Sequence, residues 1–460
     1  MTATPLTTAE LTDVYTDLHR HPELAFAEHR TAGIVAERLR GWGYDVHEGI
    51  GGTGVAGVLA NGDGPRVLLR ADMDGLPVTE LTGLPYASTD TATTPDGHES
   101  GTMHACGHDV HVTCLLGAAA ELAAHRDTWS GTLVVVFQPA EEVGGGARAM
   151  VADGLFDRTG GRPDVVLGQH VMPLPVGVVN LTAGPAMAAT DSFRVTLHGK
   201  GGHGSSPEST VDPVVMAAAT VMRLQGVVSR EVGARESAVV TVGALRAGTQ
   251  ANIIPGSAEL LVNVRSFTPQ VRRRVLDAIH RIVDAEAAAS GAPRAPEYEE
   301  VSTFDLMVND PAATERIRAV LARTLDEQHD RITAAGGRAA VVSLPPLPGS
   351  EDVGDLATAA GVPLVYWNLG GFDPALFAAF DLSTATGMGN LPDGVAPNHS
   401  PYFAPVPEPT LDLGVALLVA AARDWLRAAE GGPTGWRRTP RRRSTPESRG
   451  SGRGLPPGPR

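Results

Sequence analysis

The chain has little lysine, little cysteine and no long apolar run, and each shortage excludes something. Lys200 is the only lysine, against 36 arginines, a bias that reads as coding preference rather than function. Two cysteines, Cys106 and Cys114, allow at most one disulfide. In a chain of 460 residues with no secretory signal, reduced thiols are expected. No stretch approaches the roughly 18 consecutive apolar residues of a membrane span. The segment from Met1 to Glu10 lacks a basic region followed by an apolar one, so a cytoplasmic protein with no membrane partner is expected. What remains is globular in character, 42% hydrophobic and 19% charged, with a mean hydropathy of −0.03. At this length two domains are the natural expectation.

Negative charge dominates, unevenly. Residues 431–460 carry eight Arg against one Glu, a balance of +7, so the −15 of the whole chain leaves −22 on residues 1–430. An acidic body argues against a nucleic-acid partner. The 431–460 tail is rich in Arg, Pro and Gly and poor in apolar residues, which predicts a disordered, solvated extension.

The richest stretch chemically is residues 101–111, where Cys106 and His108 stand two apart with His104, Asp109 and His111 beside them. A thiolate and an imidazole at that spacing can turn towards one cation if the backbone there is extended or turning. Apolar spacing from Val110 to Ala124 predicts a helix starting near Asp109. His19 and His21, near the N-terminus and beside Pro22, read as surface or supporting groups rather than ligands. Helices are also expected over Thr8–Leu18 and Thr31–Gly41.

Short apolar runs then recur, each leading into polar residues. Val67–Leu69 leads into Asp72 and Asp74, Leu133–Phe137 into Glu141 and Glu142, and Val165–Leu167 into His170. With helical patterns between them they predict an α/β domain with a mixed, largely parallel sheet. In such sheets the working crevice lies at the carboxyl ends of the strands, so these residues should meet the Cys106–His108 loop. If Glu141 and Glu142 lie in an extended segment, they point to opposite sides. One is then free to bind metal and the other to act as general base. From about Ala186 to Arg294 the pattern changes to strand, helix, two strands and a helix, an α+β block inserted before the last donor candidate, His399. The expected division is residues 1–185 and 295–430 for the metal-binding part, 186–294 for the insert and 431–460 for the tail.

These residues carry a family resemblance. The segments are Leu18-His19-Arg20-His21-Pro22-Glu23-Leu24, Arg70-Ala71-Asp72-Met73-Asp74, Met103-His104-Ala105-Cys106-Gly107-His108-Asp109, Gln138-Pro139-Ala140-Glu141-Glu142 and Gly168-Gln169-His170-Val171-Met172-Pro173. Gly199-Lys200-Gly201-Gly202-His203, Asn252-Ile253-Ile254-Pro255, Gly349-Ser350-Glu351-Asp352 and Asn398-His399-Ser400-Pro401 follow in order. Together they resemble the N-acyl-amino-acid amidohydrolases. That group is the hippurate and auxin-conjugate hydrolase branch of the dinuclear metallopeptidase superfamily that includes aminoacylase and glutamate carboxypeptidase.

The resemblance implies two divalent metal ions per subunit, held by Cys106, His108, Glu142, His170 and His399 with the thiolate bridging. Zinc, manganese, cobalt and nickel all suit such a donor set. It implies that Glu141 activates a metal-held water and protonates the departing amine, that Asp74 orients a ligand and that Asp72 supports the structure. The insert would be a lid and the surface of a homodimer. Its His203 would stabilise the tetrahedral oxyanion, in its own site or in the partner's, and Asn252 and Arg265 would hold the substrate, a small N-acyl amino acid. A dipeptidase or carboxypeptidase with the same centre, or a catalytically silent relative, are the competing readings. The chain departs from the family pattern at Val110, at Val353-Gly354-Asp355-Leu356, at Glu208 and at Val262-Asn263, so the acyl group does not transfer by analogy.

Overall fold

A strand alternates its side chains between two faces, so valine after valine demands cover on both sides. In Gly131–Gln138, Leu133, Val135 and Phe137 enter one core while Val134 and Val136 enter another. Val67 and Leu69 against Leu68, and Val165 and Leu167 against Val166, repeat the division. Each such side chain contributes roughly 1.5–3 kcal/mol by burial. The first core is closed by the helices Thr8–Arg20, His108–Ala124 and Pro407–Leu426, and the second by Gly146–Ala152 and Val353–Ala360. The computed structural model describes residues 3–380 and 391–426; the tail 431–460 lies outside them. Among the described residues no helix is long and apolar enough to cross a membrane.

The strands so covered form an eight-stranded mixed sheet. Its order is Asp45–Ile50, Gly54–Asn61, Gly131–Gln138, Arg66–Asp72, Val165–Pro175, Leu364–Phe372, Val178–Asn180 and Ala340–Val342. The four central strands, Gly131–Gln138 to Leu364–Phe372, run parallel. This is the α/β, largely parallel sheet expected from the sequence. One expectation shifts: His170 does not follow its strand but lies within it, because the strand runs on to Pro175.

Between Ala189 and Phe304 the chain builds a second, fully antiparallel sheet, ordered Ala238–Ala247, Ser257–Ser266, Ala189–His198, Glu297–Phe304. Here the pattern does alternate. Phe193, Val195, Leu197, Leu260, Val262 and Val264 pack on the helices Pro213–Glu231 and Pro269–Ala289 in a core of their own. Both helices begin with a side-chain cap followed by proline. Asp212 accepts from the Val214 amide and Thr268 from the Val271 amide, each worth about 1 kcal/mol. On the opposite face, Thr190 stands across from Arg265 and Phe304, and Ser192 across from Asn263 and Ser302.

Candidate metal centre

Cys106 sits where the chain turns into the His108–Ala124 helix. The turn needs glycine at 107, which has φ +81° and whose Cβ, if present, would meet Val171 Cγ1 at 2.3 Å. The turn leaves Cys106 Sγ 3.4 Å from His170 Nε2. His170 Nδ1 must be the protonated nitrogen, since it donates to the Val171 carbonyl at 2.8 Å, and Nε2 therefore keeps its lone pair towards Cys106. His108 is oriented in the same way: Nδ1 faces Asp74 Oδ1 at 3.2 Å, and Nε2 lies 3.9 Å from both Glu141 Oε2 and Glu142 Oε1. His399, at φ +69°, is tied by its amide to the Ala105 carbonyl at 2.7 Å, and its Nε2 lies 3.3 Å from Glu142 Oε2.

The Glu141–Glu142 pair corrects an expectation. It lies in a turn rather than an extended segment, because Ala140 takes a left-handed φ of +52° at the end of the strand. Both carboxylates therefore face His108 instead of pointing apart. Asp74 fixes them from behind, accepting from the Glu141 amide at 3.1 Å and the Glu142 amide at 3.0 Å.

Buried charge has to be compensated, and here the compensation is incomplete. Burial, reinforced by the Glu142, Glu141 and Asp72 carboxylates, pushes the Cys106 thiol well above its ordinary range. Burial together with Glu351, Glu142, Asp352 and Asp72 holds the Glu141 carboxyl well above the usual carboxylate range. Burial opposes ionisation of Glu142 too, but His399 and His108 outweigh it and hold that carboxyl low. Among the described residues, His108 Nε2 and Glu142 Oε1 are buried with no hydrogen-bond partner. Single ligand atoms of Cys106, His108 and His170 lie within 4.8 Å of one another, as do those of Cys106, Glu142 and His399. Two overlapping donor sets sharing a thiol, with orphaned polar atoms between them, fit divalent cations.

Two other acid and imidazole groupings are spoken for. His111 donates through Nδ1 to Asp72 at 2.5 Å and accepts the Val171 amide at Nε2 at 2.7 Å, so it has no lone pair left. Glu351 and Asp352 face Arg70 at 2.8 and 3.0 Å. His111 is three residues beyond His108 on one helix face, a spacing that could have flagged it. Asn398, whose carboxamide donates to the Cys106 carbonyl at 3.3 Å and approaches Sγ at 3.7 Å, was visible only as a neighbour of His399.

Cys106, Glu141, Glu142, His170 and His399 open onto a cavity of about 490 Å³, also lined by Met172, Met187, Phe304 and Leu347 and by Asn263 and Arg265 from the second sheet, with His108 buried behind them. Arg265 donates to the Pro348 carbonyl at 2.5 Å. His203 and Asn252 are not on this wall. His203 belongs to a two-stranded ribbon pairing Gly202–His203 with Ile253–Ile254, where it is exposed and bonded to Ser205 at 2.7 Å, and Asn252 stands just before the second strand, its carbonyl accepting from the Gly204 amide at 2.8 Å.

A profile of the peptidase family M20/M25/M40 matches residues 68–424. The chain belongs to that family. It is 43% identical over 275 residues to the hippurate hydrolase of Campylobacter jejuni, covering 59% of this chain and 68% of the relative. It is 35% identical over 358 residues to thermostable carboxypeptidase 2 of Saccharolobus solfataricus, covering 77% and 84%. Among solved structures, the Bacillus subtilis YXEP protein, described as a dinuclear metal binding peptidase, superposes with a TM-score of 0.68 at 28% identity over 91% of this chain and 98% of that one. The M20 chain is thus a hydrolase acting on amide bonds, with a cluster of candidate metal ligands at its cavity.

Behind the cluster, His21 is half-buried but His19 is fully buried between Asp109 at 2.6 Å and Glu80 at 3.1 Å. Burial alone would lower the ring's pKa; the two carboxylates reverse that and raise it to about 9. An unfolded histidine titrates near 6.5. The stabilisation is therefore complete below about pH 6.5 and is lost as pH rises to about 9, a fall of roughly 3 kcal/mol. Urea denaturation at pH 6.5 and 9 should show this decline in the wild type and a much flatter one in His19→Gln. Equal slopes would remove His19 as the cause.

Proposed function

We propose that this M20 chain is a metal-dependent amidohydrolase that cleaves N-acyl amino acids into a carboxylic acid and an amino acid. One observation carries the reading: a single cavity is lined both by the donor cluster and by Arg265. Among the described residues Arg265 has no acidic partner, the only hydrogen bond of its guanidinium going to the Pro348 carbonyl. A substrate carboxylate fills that gap with two charge-assisted hydrogen bonds. The acids on the described wall are Glu141 and Glu142, both committed to the cluster, so a free substrate ammonium would find no partner. That favours a blocked nitrogen over the free amine of a dipeptide. Met172, Met187, Phe304 and Leu347 offer the acyl group an apolar wall. The names of the hippurate hydrolase and carboxypeptidase relatives are both consistent with a substrate that presents a carboxylate to Arg265.

Cys106, His108, Glu142, His170 and His399 would hold two divalent cations, which when bound polarise the scissile carbonyl and make a water more acidic. Glu141 takes the proton from the attacking water and passes it to the amine nitrogen as the C–N bond breaks. Asp74 keeps His108 and the Glu141 and Glu142 amides in register. We further propose that the insert acts as lid and dimerisation surface between the two catalytic segments, and that it runs from about 186 to 304 rather than to 294, because Glu297–Phe304 pairs with Ala189–His198 in its sheet. Exposed Val214, Val215 and Met222 on the Pro213–Glu231 helix, and the edge strand Ala238–Ala247, support pairing with a second copy. His203 and Asn252 would then serve the partner's cavity.

The test follows amine release from benzoyl-, acetyl- and indoleacyl-amino acids, with metal content and sedimentation measured on the same preparation. Expected are near two metals per chain, a dimer, and hydrolysis abolished by a chelator and restored by metal. Bound metal without release from any acyl-amino acid would move the substrate to peptides. Undiminished release after chelation would remove the metal from the scheme, and a monomer would remove His203 and Asn252.

A further inference from the structure

Glu28 is fully buried at the start of the His29–Gly41 helix, yet it does not cap that helix. Glu23 does the capping, accepting from the Arg30 and Thr31 amides at 2.8 Å each. The Glu28 carboxylate turns inwards instead. One oxygen accepts from the Phe26 amide at 2.9 Å and the Ala140 amide at 2.8 Å, and the other from the Thr53 hydroxyl. No Arg, Lys or His pairs with it among the described residues, and burial with the nearby Asp74 charge raises its carboxyl above the ordinary range.

A carboxylate buried without a cation is costly, and its partners indicate its use. Phe26 at φ +61° and Ala140 at φ +52° are two of three non-glycine residues with positive φ among the described residues. Neither residue type holds that conformation without help. With Asp74 beside it, Glu28 completes a row: the amides of Ala140, Glu141 and Glu142 each donate to a buried carboxylate oxygen. Ala140 is the residue at which the strand turns to present Glu141.

We propose that Glu28 is a positioning residue for the general base: it holds the left-handed Ala140 and so fixes the direction in which Glu141 leaves the Gly131–Gln138 strand. The inference rests on the reading of Glu141 as that base. Reach to the Ala140 amide matters more than negative charge. Glu28→Gln keeps a carbonyl oxygen at the right distance, and Thr53 can rotate to accept from its amide. Glu28→Asp keeps the charge but is one methylene too short.

The experiment measures kcat, KM and zinc affinity, by competition with a chelator, for both variants in the wild-type and Glu141→Ala backgrounds. Glu28→Gln should stay within about threefold of wild-type kcat, whereas Glu28→Asp should lose about 10²-fold, the scale of a 1 Å misplacement. KM and zinc affinity should hold within about threefold in both, and Glu28→Asp should cost nothing further once Glu141 is gone. Adding Ala140→Gly to Glu28→Asp should recover much of the loss, since glycine takes the left-handed φ unaided. The reverse order, with Asp active and Gln impaired, overturns the proposal. So does a loss that appears in KM or zinc affinity, or one that persists beside Glu141→Ala. If Glu28→Asp does not fold, a loss greater than tenfold in folded, zinc-loaded Glu28→Gln overturns it alone. Wild-type rates in Glu141→Ala would instead sink the reading of the base itself.

Discussion

Glu141→Ala is expected to lower kcat by about 10³-fold, with KM and bound metal little changed, the middle of the range for loss of a positioned general base. The size follows from the lack of a substitute. Glu142 shares the cavity wall, but it is engaged with His399 at 3.3 Å and faces His108. Glu351 and Asp352 are close, but Arg70 holds both. No other acid lines the described wall of the cavity. Single-turnover rates with the best substrate of the panel, alongside metal analysis, measure the effect. A fall of less than about tenfold would mean that another group moves the proton.

The largest effect on stability is expected at Arg70. Its guanidinium is fully buried and reaches Asp72 at 2.5 Å, Glu351 at 2.8 Å, Asp352 at 3.0 Å and the Gln138 side-chain Oε1 at 2.9 Å. Arg70→Met fills similar space but leaves three buried carboxylates with no guanidinium between them. Burial and Glu351 already push the Asp352 carboxyl up with Arg70 present. Removing one partner of a buried ion pair costs about 3–5 kcal/mol, which for a chain of this size is a drop in Tm of about 3–5 °C. Thermal denaturation measures it. Adding Glu351→Gln and Asp352→Asn should return part of the loss, and a Tm within about 2 °C of wild type would show that the carboxylates find other partners.

The parts of the site that lie close in sequence, or at strand ends, were legible beforehand. Cys106 and His108 are two apart, and unbroken valine and leucine runs led to Asp74, Glu141 and Glu142. Those signals are local: a side-chain period and a strand terminus. His170 sits inside its strand rather than beyond it, because the run of apolar residues stops at Leu167 while the pairing with Leu364–Phe372 carries the strand further. The opposed carboxylates failed for a similar reason, since nothing in Pro139-Ala140-Glu141 announces a left-handed alanine. Glu28 and Arg70 were illegible as to role. Glu28 meets Ala140 across 112 positions and Arg70 meets Asp352 across 282, and an isolated charge has no periodicity to betray its burial.

The candidate donors are split by the inserted sheet: Cys106, His108, Glu142 and His170 precede it, and His399 follows. During synthesis, then, the ribosome must add the residues from 171 to 399 after four donors have already emerged, which takes about 10–50 s at ordinary elongation rates. Throughout that interval a nascent chain can present at most a partial set. Chains that stop early in the insert would carry the thiol and both glutamates but lack His399, so they could present only part of the donor set.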